Sequence, residues 1–172
     1  MKVAIAISGA SGANLGLKAF HAIPEHYEKY LIVSDNARIV LEKENHTSFD
    51  DTMIWAGPAS GSFGLDTLMV IPCSVNTLAK IAVGIADTLT TRAATVQLKE
   101  RRQLLIAPRE IPFHSIALEH MLSLDKRGVI IAPPVLAYYA NITSLESMEN
   151  FIIGRWFDLV GIEHNLFERW KG

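Results

Sequence analysis

Two short segments combine residue types that suit the binding of a phosphate or of the polar edge of a heterocycle. Residues 8–12 have the sequence SGASG and follow an apolar run directly, which places small residues and backbone N–H groups at a helix start. Residues 72–77, PCSVNT, place the polar groups of Ser74, Asn76 and Thr77 at a second helix start. Each segment also has a structural alternative, a tight turn for the first and an N-cap at Ser74 for the second.

The glycine spacing of the first segment favours a mononucleotide over a dinucleotide. The glycines stand at positions 9, 12 and 16, which does not match the G-x-G-x-x-G pattern of dinucleotide-binding turns. Ser34 also stands at the end of the second predicted strand, where those proteins carry an acidic residue. We therefore expect a ligand with a single nucleotide unit.

Several charged residues are candidates for binding a phosphate or for proton transfer. Arg92 and Lys99 are seven residues apart and share one face of a predicted helix, although a solvated surface is the alternative for such a run. Arg109 and Glu110 follow a buried strand, where arginine suits bidentate phosphate binding and glutamate suits proton transfer. Arg155 lies on an otherwise apolar helix and needs an anionic partner, either a phosphate or a structural carboxylate.

Composition excludes several other classes of function. The 172 residues are 49% hydrophobic and carry a formal net charge of -2, which predicts one domain over residues 1–172 and neither a nucleic acid nor a membrane as partner. The first apolar run is too short for a signal peptide or a membrane span, so we expect a cytoplasmic protein. Cys73 is the only cysteine, and the six histidines lack metal-site spacing; we expect no metal, a buried Cys73, and histidines at the surface or at helix caps.

Apolar runs of strand length alternate with helical patterns along the whole chain. Strands are predicted at residues 3–7, 30–33, 68–71, 104–107 and 129–131, with the third stopped by Pro72, and helices at 15–23, 37–44, 76–85, 88–101, 116–124 and 144–160. Residues 45–60 have an irregular composition. The fold predicted is a three-layer, Rossmann-like (flavodoxin-like) α/β domain with a parallel sheet and helices on both faces. Ligands of such sheets bind at the carboxyl ends of the strands, where most of the polar candidates lie.

Five segments in register resemble the UbiX/Pad flavin prenyltransferases over nearly the whole chain. They are residues 7–13 (ISGASGA), 71–77 (IPCSVNT), 98–102 (LKERR), 107–110 (APRE) and 161–164 (GIEH), with Arg169 and Trp170 after them. The resemblance implies a metal-independent transferase that joins dimethylallyl from dimethylallyl monophosphate to N5 and C6 of reduced FMN. The prenylated FMN would serve UbiD-type decarboxylases, often in ubiquinone or menaquinone synthesis. Family members are usually homo-dodecamers.

The resemblance also assigns roles to individual positions. The catalytic residues would be Ser11, Glu44, Glu110 and Trp170, with Ser11 near the prenyl phosphate and Trp170 as an aromatic wall. FMN would be held by Gly9, Ala10, Ser11, Ser34, Ser74, Val75, Asn76, Thr77 and Arg109. The prenyl phosphate would be held by Arg92, Lys99, Arg109, Tyr139 and Arg155, some of them from a neighbouring subunit.

Two other functions fit the same flavin-binding fold. An FMN-dependent decarboxylase of the cysteine decarboxylase type would carry an active-site histidine and a Pro-x-Met-Asn segment, whereas residues 72–76 read PCSVN. A flavin carrier subunit would need no second phosphate site. The residues that count against it are Lys99, Arg109, Glu110, Tyr139 and Arg155.

Overall fold

The computed structural model describes residues 1–9, 12–34, 37, 48–138 and 142–169. The strands in these residues are β1 (Lys2–Ile7), β2 (Glu28–Val33), β3 (Ser48–Asp50), β4 (Thr67–Cys73), β5 (Gln103–Pro108) and β6 (Ile130–Ile131). The helices are α1 (Ala13–Ala22), α2 (Val75–Val83), α3 (Leu89–Glu100), α4 (Ser115–Asp125) and α5 (Leu145–Val160), with 3-10 turns at Gly57–Ala59 and Gly61–Phe63.

The strands form one parallel sheet in the order β3-β2-β1-β4-β5-β6. β1 pairs with β2 on one side and with β4 on the other, so that Ile5 lies opposite both Leu31 and Met69. The chain therefore reverses its direction of progress across the sheet between β1 and β4. In open parallel sheets, a crevice for ligands forms at such a reversal, outside the carboxyl ends of the strands.

Alternate residues of β1 belong to two separate hydrophobic cores. Val3, Ile5 and Ile7 pack in one core with side chains of α1 and α5. Ala4 and Ala6 pack in the other core with side chains of α2, α3 and α4. Because both faces of the strands are covered, the sequence shows continuous apolar runs rather than alternation. This confirms the predicted three-layer α/β fold.

Two details of the sheet differ from the prediction. The predicted stop of the third strand at Pro72 is wrong, because β4 continues through Pro72 to Cys73. Its pairing with β5 shifts register between Val70 and Cys73, and proline, which has no N–H to donate, is tolerated at such an irregularity. The irregular segment 45–60 contains the edge strand β3, which has only three residues and no usable periodicity. Of the predicted helix 37–44, only Ala37 lies inside the described residues.

Three further findings concern the described residues as a whole. Cys73 is completely buried, as expected for a small apolar core residue. Across residues 1–9, 12–34, 37, 48–138 and 142–169, no group of three or more histidine, cysteine, aspartate or glutamate side chains is placed to hold a metal ion. None of the helices in those ranges is both long and apolar enough to cross a bilayer.

Candidate active site

Hydrogen bonds join the turns that follow β1, β2 and β4 into one crevice. The backbone N–H of Gly9 donates to Ser34 Oγ at 3.3 Å, and the N–H of Ser34 donates to the carbonyl of Ile7 at 3.1 Å. The N–H of Ser8 donates to the carbonyl of Pro72 at 3.1 Å. The structure therefore brings Gly9, Ser34 and Ser74, predicted separately along the sequence, to the reversal point of the sheet.

Ser8 bridges the first and third turns with its hydroxyl. Ser8 Oγ accepts a hydrogen bond from the N–H of Ser74 at 3.1 Å and donates one to the carbonyl of Pro72 at 3.4 Å. The residue is only 5% exposed, so these bonds are shielded from water. Ser8 belongs to the predicted segment 8–12, but its role as a positioning residue was not predicted, because its partners lie more than 60 residues away in the sequence.

Ser74 caps the helix that begins at the third turn. Its Oγ accepts from the N–H of Thr77 at 3.2 Å and donates to Thr77 Oγ1 at 3.0 Å. The structural alternative for Ser74 is thus present in the molecule. Val75 and Asn76 form the first turn of α2, and the side chain of Asn76 is exposed beside the crevice.

Arg109 crosses the start of α1. Gly12 occupies the cap position of that helix in the left-handed region, with φ of +81°, and has no side chain to accept from the first N–H groups. A Cβ atom at Gly12 would lie 3.2 Å from Cδ and 3.3 Å from Nε of Arg109. A guanidinium and a helix N-terminus both attract anions, so together they form a place for a phosphate.

The other two reactive groups near this edge differ in accessibility. Glu110 is exposed, and its Oε1 accepts a hydrogen bond from the N–H of Ile111 at 3.0 Å. Burial raises the pKa of the Cys73 thiol to about 12. Cys73 is therefore a neutral thiol at physiological pH and no nucleophile, whereas Glu110 is open to exchange protons with a ligand.

The structure places Arg92 and Lys99 at opposite ends of α3. The first turn of this helix is tied to the end of β3, because the N–H groups of Leu89 and Thr90 both donate to Asp51 at 2.7 Å. Arg92 is therefore exposed at the carboxyl edge of the sheet. Lys99 pairs with Glu100 in the last turn, near the amino end of β5.

A second concavity of about 240 Å³ lies between α5 and the segment that follows β6. Its walls are apolar except at Arg155, and the indole Nε1 of Trp156 donates to the carbonyl of Ala132 at 2.9 Å, which fixes one wall. Arg155 Nη1 lies 2.8 Å from Asp158 Oδ2, so the carboxylate alternative for its partner is present. The Arg155 side chain is still 50% exposed and has donors for a further anion.

Asp158 also binds the C-terminal segment, residues 162–169. Its Oδ1 lies 2.6 Å from Arg169 Nη1 and 3.1 Å from His164 Nε2. Burial alone would raise the pKa of Asp158, but the hydrogen bonds from Arg169 and His164 and the Arg169 charge outweigh it, so this pKa lies below its ordinary value. The expectation that every histidine lies at the surface or at a cap holds for His114, which caps α4, and is wrong for His164, whose side chain is 1% exposed.

Five of the predicted site residues lie outside the described residues. They are Ala10, Ser11, Glu44, Tyr139 and Trp170. Asp158 was missing from the predicted set, although its i+3 spacing from Arg155 on a helix is a recognisable signal for an ion pair.

Comparisons with known proteins match most or all of the chain. The Flavoprotein family model matches residues 1–156. Flavin prenyltransferase UbiX of Campylobacter jejuni is 46% identical over 185 aligned positions, which cover 99% of each chain. The crystal structure of AnUbiX (PadA1) in complex with FMN and dimethylallyl pyrophosphate superposes with a TM-score of 0.93 at 36% identity, covering 99% of this chain and 97% of that one. A dodecameric FMN-dependent UbiX-like decarboxylase from Escherichia coli O157:H7 superposes with a TM-score of 0.92 at 37% identity, covering 100% of both chains.

Proposed function

The chain belongs to the UbiX flavin prenyltransferases of the flavoprotein family, and from this premise we propose that it joins a dimethylallyl group to FMN. The donor is dimethylallyl monophosphate, the acceptor is reduced FMN at N5 and C6, and the product is prenylated FMN. The observation that carries the proposal is the crevice where three bonded turns meet Arg109 and the start of α1. A related structure of the same fold holds FMN and dimethylallyl pyrophosphate.

The donor set of the crevice fits a flavin mononucleotide. The start of α1 and Arg109 suit the FMN phosphate, because N–H groups and a guanidinium converge where a Cβ is missing at Gly12. Gly9 and Ser34, together with residues 74–77, suit the ribityl chain and the ring edge through backbone and hydroxyl groups. In the same proposal Ala10 and Ser11 complete this set. Reduced FMN, when bound, supplies the nitrogen and carbon atoms that form the new bonds.

Cations and a phenol would stabilise the phosphate that leaves with the electron pair of the broken C–O bond. We assign this role to Arg92, Lys99, Arg109, Tyr139 and Arg155, and the family resemblance implies that a neighbouring subunit supplies some of them. The apolar walls beside Arg155 suit a short branched hydrocarbon attached to a phosphate. Trp170 would offer an aromatic face to the allylic cation.

Proton transfer would involve Glu110 and Glu44. Glu110 is exposed at the carboxyl end of β5, next to Arg109, where it can take up the proton lost from N5. Ring closure would then add one proton to the prenyl double bond as the bond to C6 forms and C6 loses its own proton, so this second step consumes no net proton. Glu44 is assigned on the family resemblance. Ser11 would contact both the flavin and the prenyl phosphate.

The same premise extends to assembly and to the fate of the product. We propose a homo-oligomer, as in the dodecameric relative, with a dodecamer as the expected size. Prenylated FMN would pass to a UbiD-type decarboxylase. A role in ubiquinone or menaquinone synthesis and a cytoplasmic location stay predictions.

Anaerobic incubation with reduced FMN and dimethylallyl monophosphate, without metal, tests the proposal by mass spectrometry of the released flavin. We expect a flavin heavier by one prenyl unit, with turnover lost in Glu110→Gln while FMN binding is kept. Glu119→Gln, an exposed glutamate on α4, is the matched control and should keep full activity. An unmodified flavin that stays bound would favour a decarboxylase or a flavin carrier, the two alternatives that share this fold.

A further inference from the structure

We propose that Asp158 is a positioning residue of the prenyl-phosphate site, an inference that rests on the proposed function. Its carboxylate contacts three side chains from two parts of the chain: Arg155 on α5, and His164 and Arg169 in the C-terminal segment. The role assigned is to hold the Arg155 guanidinium at the rim of the apolar cavity and to fix the C-terminal segment beside it.

The two carboxylate oxygens divide these contacts. Oδ2 takes Arg155 Nη1 at 2.8 Å, while Oδ1 takes Arg169 Nη1 at 2.6 Å and His164 Nε2 at 3.1 Å. The side chain of Asp158 is 16% exposed and that of His164 is 1% exposed, so the carboxylate and the imidazole are largely shielded from water. The two guanidinium groups are about half exposed and reach the carboxylate from the solvent side. Removing the carboxylate would release Arg155 and the C-terminal segment together.

The hydrogen bonds of His164 define its tautomer. Its Nδ1 lies 3.2 Å from the backbone N of Leu166, which can only donate, so Nδ1 must accept and carries no proton. The ring proton is therefore on Nε2 and points to Asp158. It follows that the 3.3 Å approach of Arg169 Nη2 to Nε2 is a contact between two donors and not a hydrogen bond.

Close packing holds the C-terminal segment against α5 at the same place. Gly154 lies one position before Arg155, and a Cβ atom on it would come within 2.5 Å of Phe167 and 2.6 Å of His164. The Arg169 guanidinium also lies over the ring of Phe167, 5.3 Å from its centroid. Close packing at Gly154 therefore fixes the position of the segment on the helix, and Asp158 holds it there through the ion pair with Arg169.

The charge balance of this group suits an anionic substrate. Two guanidinium groups and one carboxylate leave at least one positive charge in excess. Arg155 lines the cavity and is 50% exposed, so a phosphate can bind it without displacing Asp158. Asp158 thus orients the arginine without neutralising the whole site.

Steady-state kinetics of Asp158→Asn test the inference, because the amide keeps the shape and removes the charge. We expect the KM for dimethylallyl monophosphate to rise about tenfold or more, as for the loss of a charged hydrogen bond, with a smaller fall in kcat and nearly unchanged FMN affinity. Asp158→Glu restores the charge on a longer arm and should give an intermediate KM. Glu149→Gln is the matched control: it lies on the same helix as Asp158, breaks the pair with Lys18 of α1, and should leave KM unchanged.

A double-mutant cycle separates positioning from general support of the fold. If Asp158 acts through Arg155, Asp158→Asn should add little to the KM of Arg155→Ala. Equal KM values for Asp158→Asn and wild type, or the same increase in both backgrounds, would overturn the inference.

Calorimetry distinguishes this failure from a failure of the proposed function. If the wild type makes no prenylated flavin, the titration of FMN-loaded protein with inorganic phosphate replaces KM. Asp158→Asn should then weaken phosphate binding by about tenfold, and unchanged binding would overturn the inference by itself.

Discussion

At the level of single residues, the crevice depends on side chains that are small enough for others to lie across them. Arg109 occupies the space directly above Gly12, and Ser8 is small enough to reach both Ser74 and Pro72 from a buried position. Gly12 and Ser8 contribute no reactive group themselves. Both determine where the groups that would touch FMN are held.

Gly12→Ala should weaken FMN binding in addition to lowering the folding stability. A residue with a Cβ at φ of +81° loses roughly 1 kcal/mol of folding free energy, and the new atom would also displace Arg109. Gly84→Ala is the matched control, because Gly84 has φ of +79° and no atom within 4 Å of the added Cβ. Denaturant unfolding should show similar losses of stability for the two variants. Flavin titration should show a loss of FMN affinity for Gly12→Ala only. Equal affinities would refute the role given to Arg109.

The sequence was sufficient to predict which residues could bind a ligand, but not which distant side chains contact each other. The serine and glycine turns and Arg109 were predictable because their positions after buried strands place them at one edge of the sheet. The Asp158 group was not predicted, since it requires knowing that His164 and Arg169 fold back onto α5. That return depends on the missing side chain at Gly154, which no periodicity reveals.

At the level of elements, apolar runs were sufficient to predict five strands and most helices to within a few residues. The exceptions are elements that packing determines more than local sequence does. β3 is three residues long and exists because it pairs with β2, and β4 passes through Pro72 because the register shift removes the need for its N–H. The packing of the C-terminal segment against α5 likewise depends on tertiary contacts.

The ion pairs of Asp158 in this packing should make the free energy of unfolding fall at acid pH. The folded-state pKa of Asp158 lies below its ordinary 3.8, so its stabilisation is present above that value and is lost as the pH falls through the folded pKa. Between about pH 6 and about pH 3, the unfolding free energy of wild type should therefore fall more than that of Asp158→Asn. Urea unfolding at the two pH values measures the difference, and parallel decreases would contradict it.

At the level of the whole molecule, α4 presents an apolar surface to solvent. Ile116, Leu118 and Leu122 are each more than half exposed, as is Ile111 just before the helix. Apolar patches of this kind on a folded domain commonly mark a contact with another chain. A second copy of this chain is the partner that the proposed homo-oligomer provides.

The double variant Leu118→Glu, Leu122→Glu should therefore lower the order of the oligomer. Burying two carboxylates without partners would make the contact unfavourable, while the fold of the single chain keeps its two cores. Analytical ultracentrifugation measures the mass, with Glu119→Gln on the same helix as control. An unchanged mass for the double variant would place the subunit contact elsewhere on the molecule.

The burial of Cys73 makes the protein its own reporter of opening motions. The thiol is unique in the chain, completely buried beneath the crevice, and neutral at physiological pH. A thiol-reactive dye can modify Cys73 only in molecules in which β4 has opened enough to expose it. The labelling rate therefore reports the population of opened molecules. Because FMN would bind the turns on either side of β4, saturating flavin should slow labelling in proportion to its affinity, which gives a binding measurement that requires no turnover.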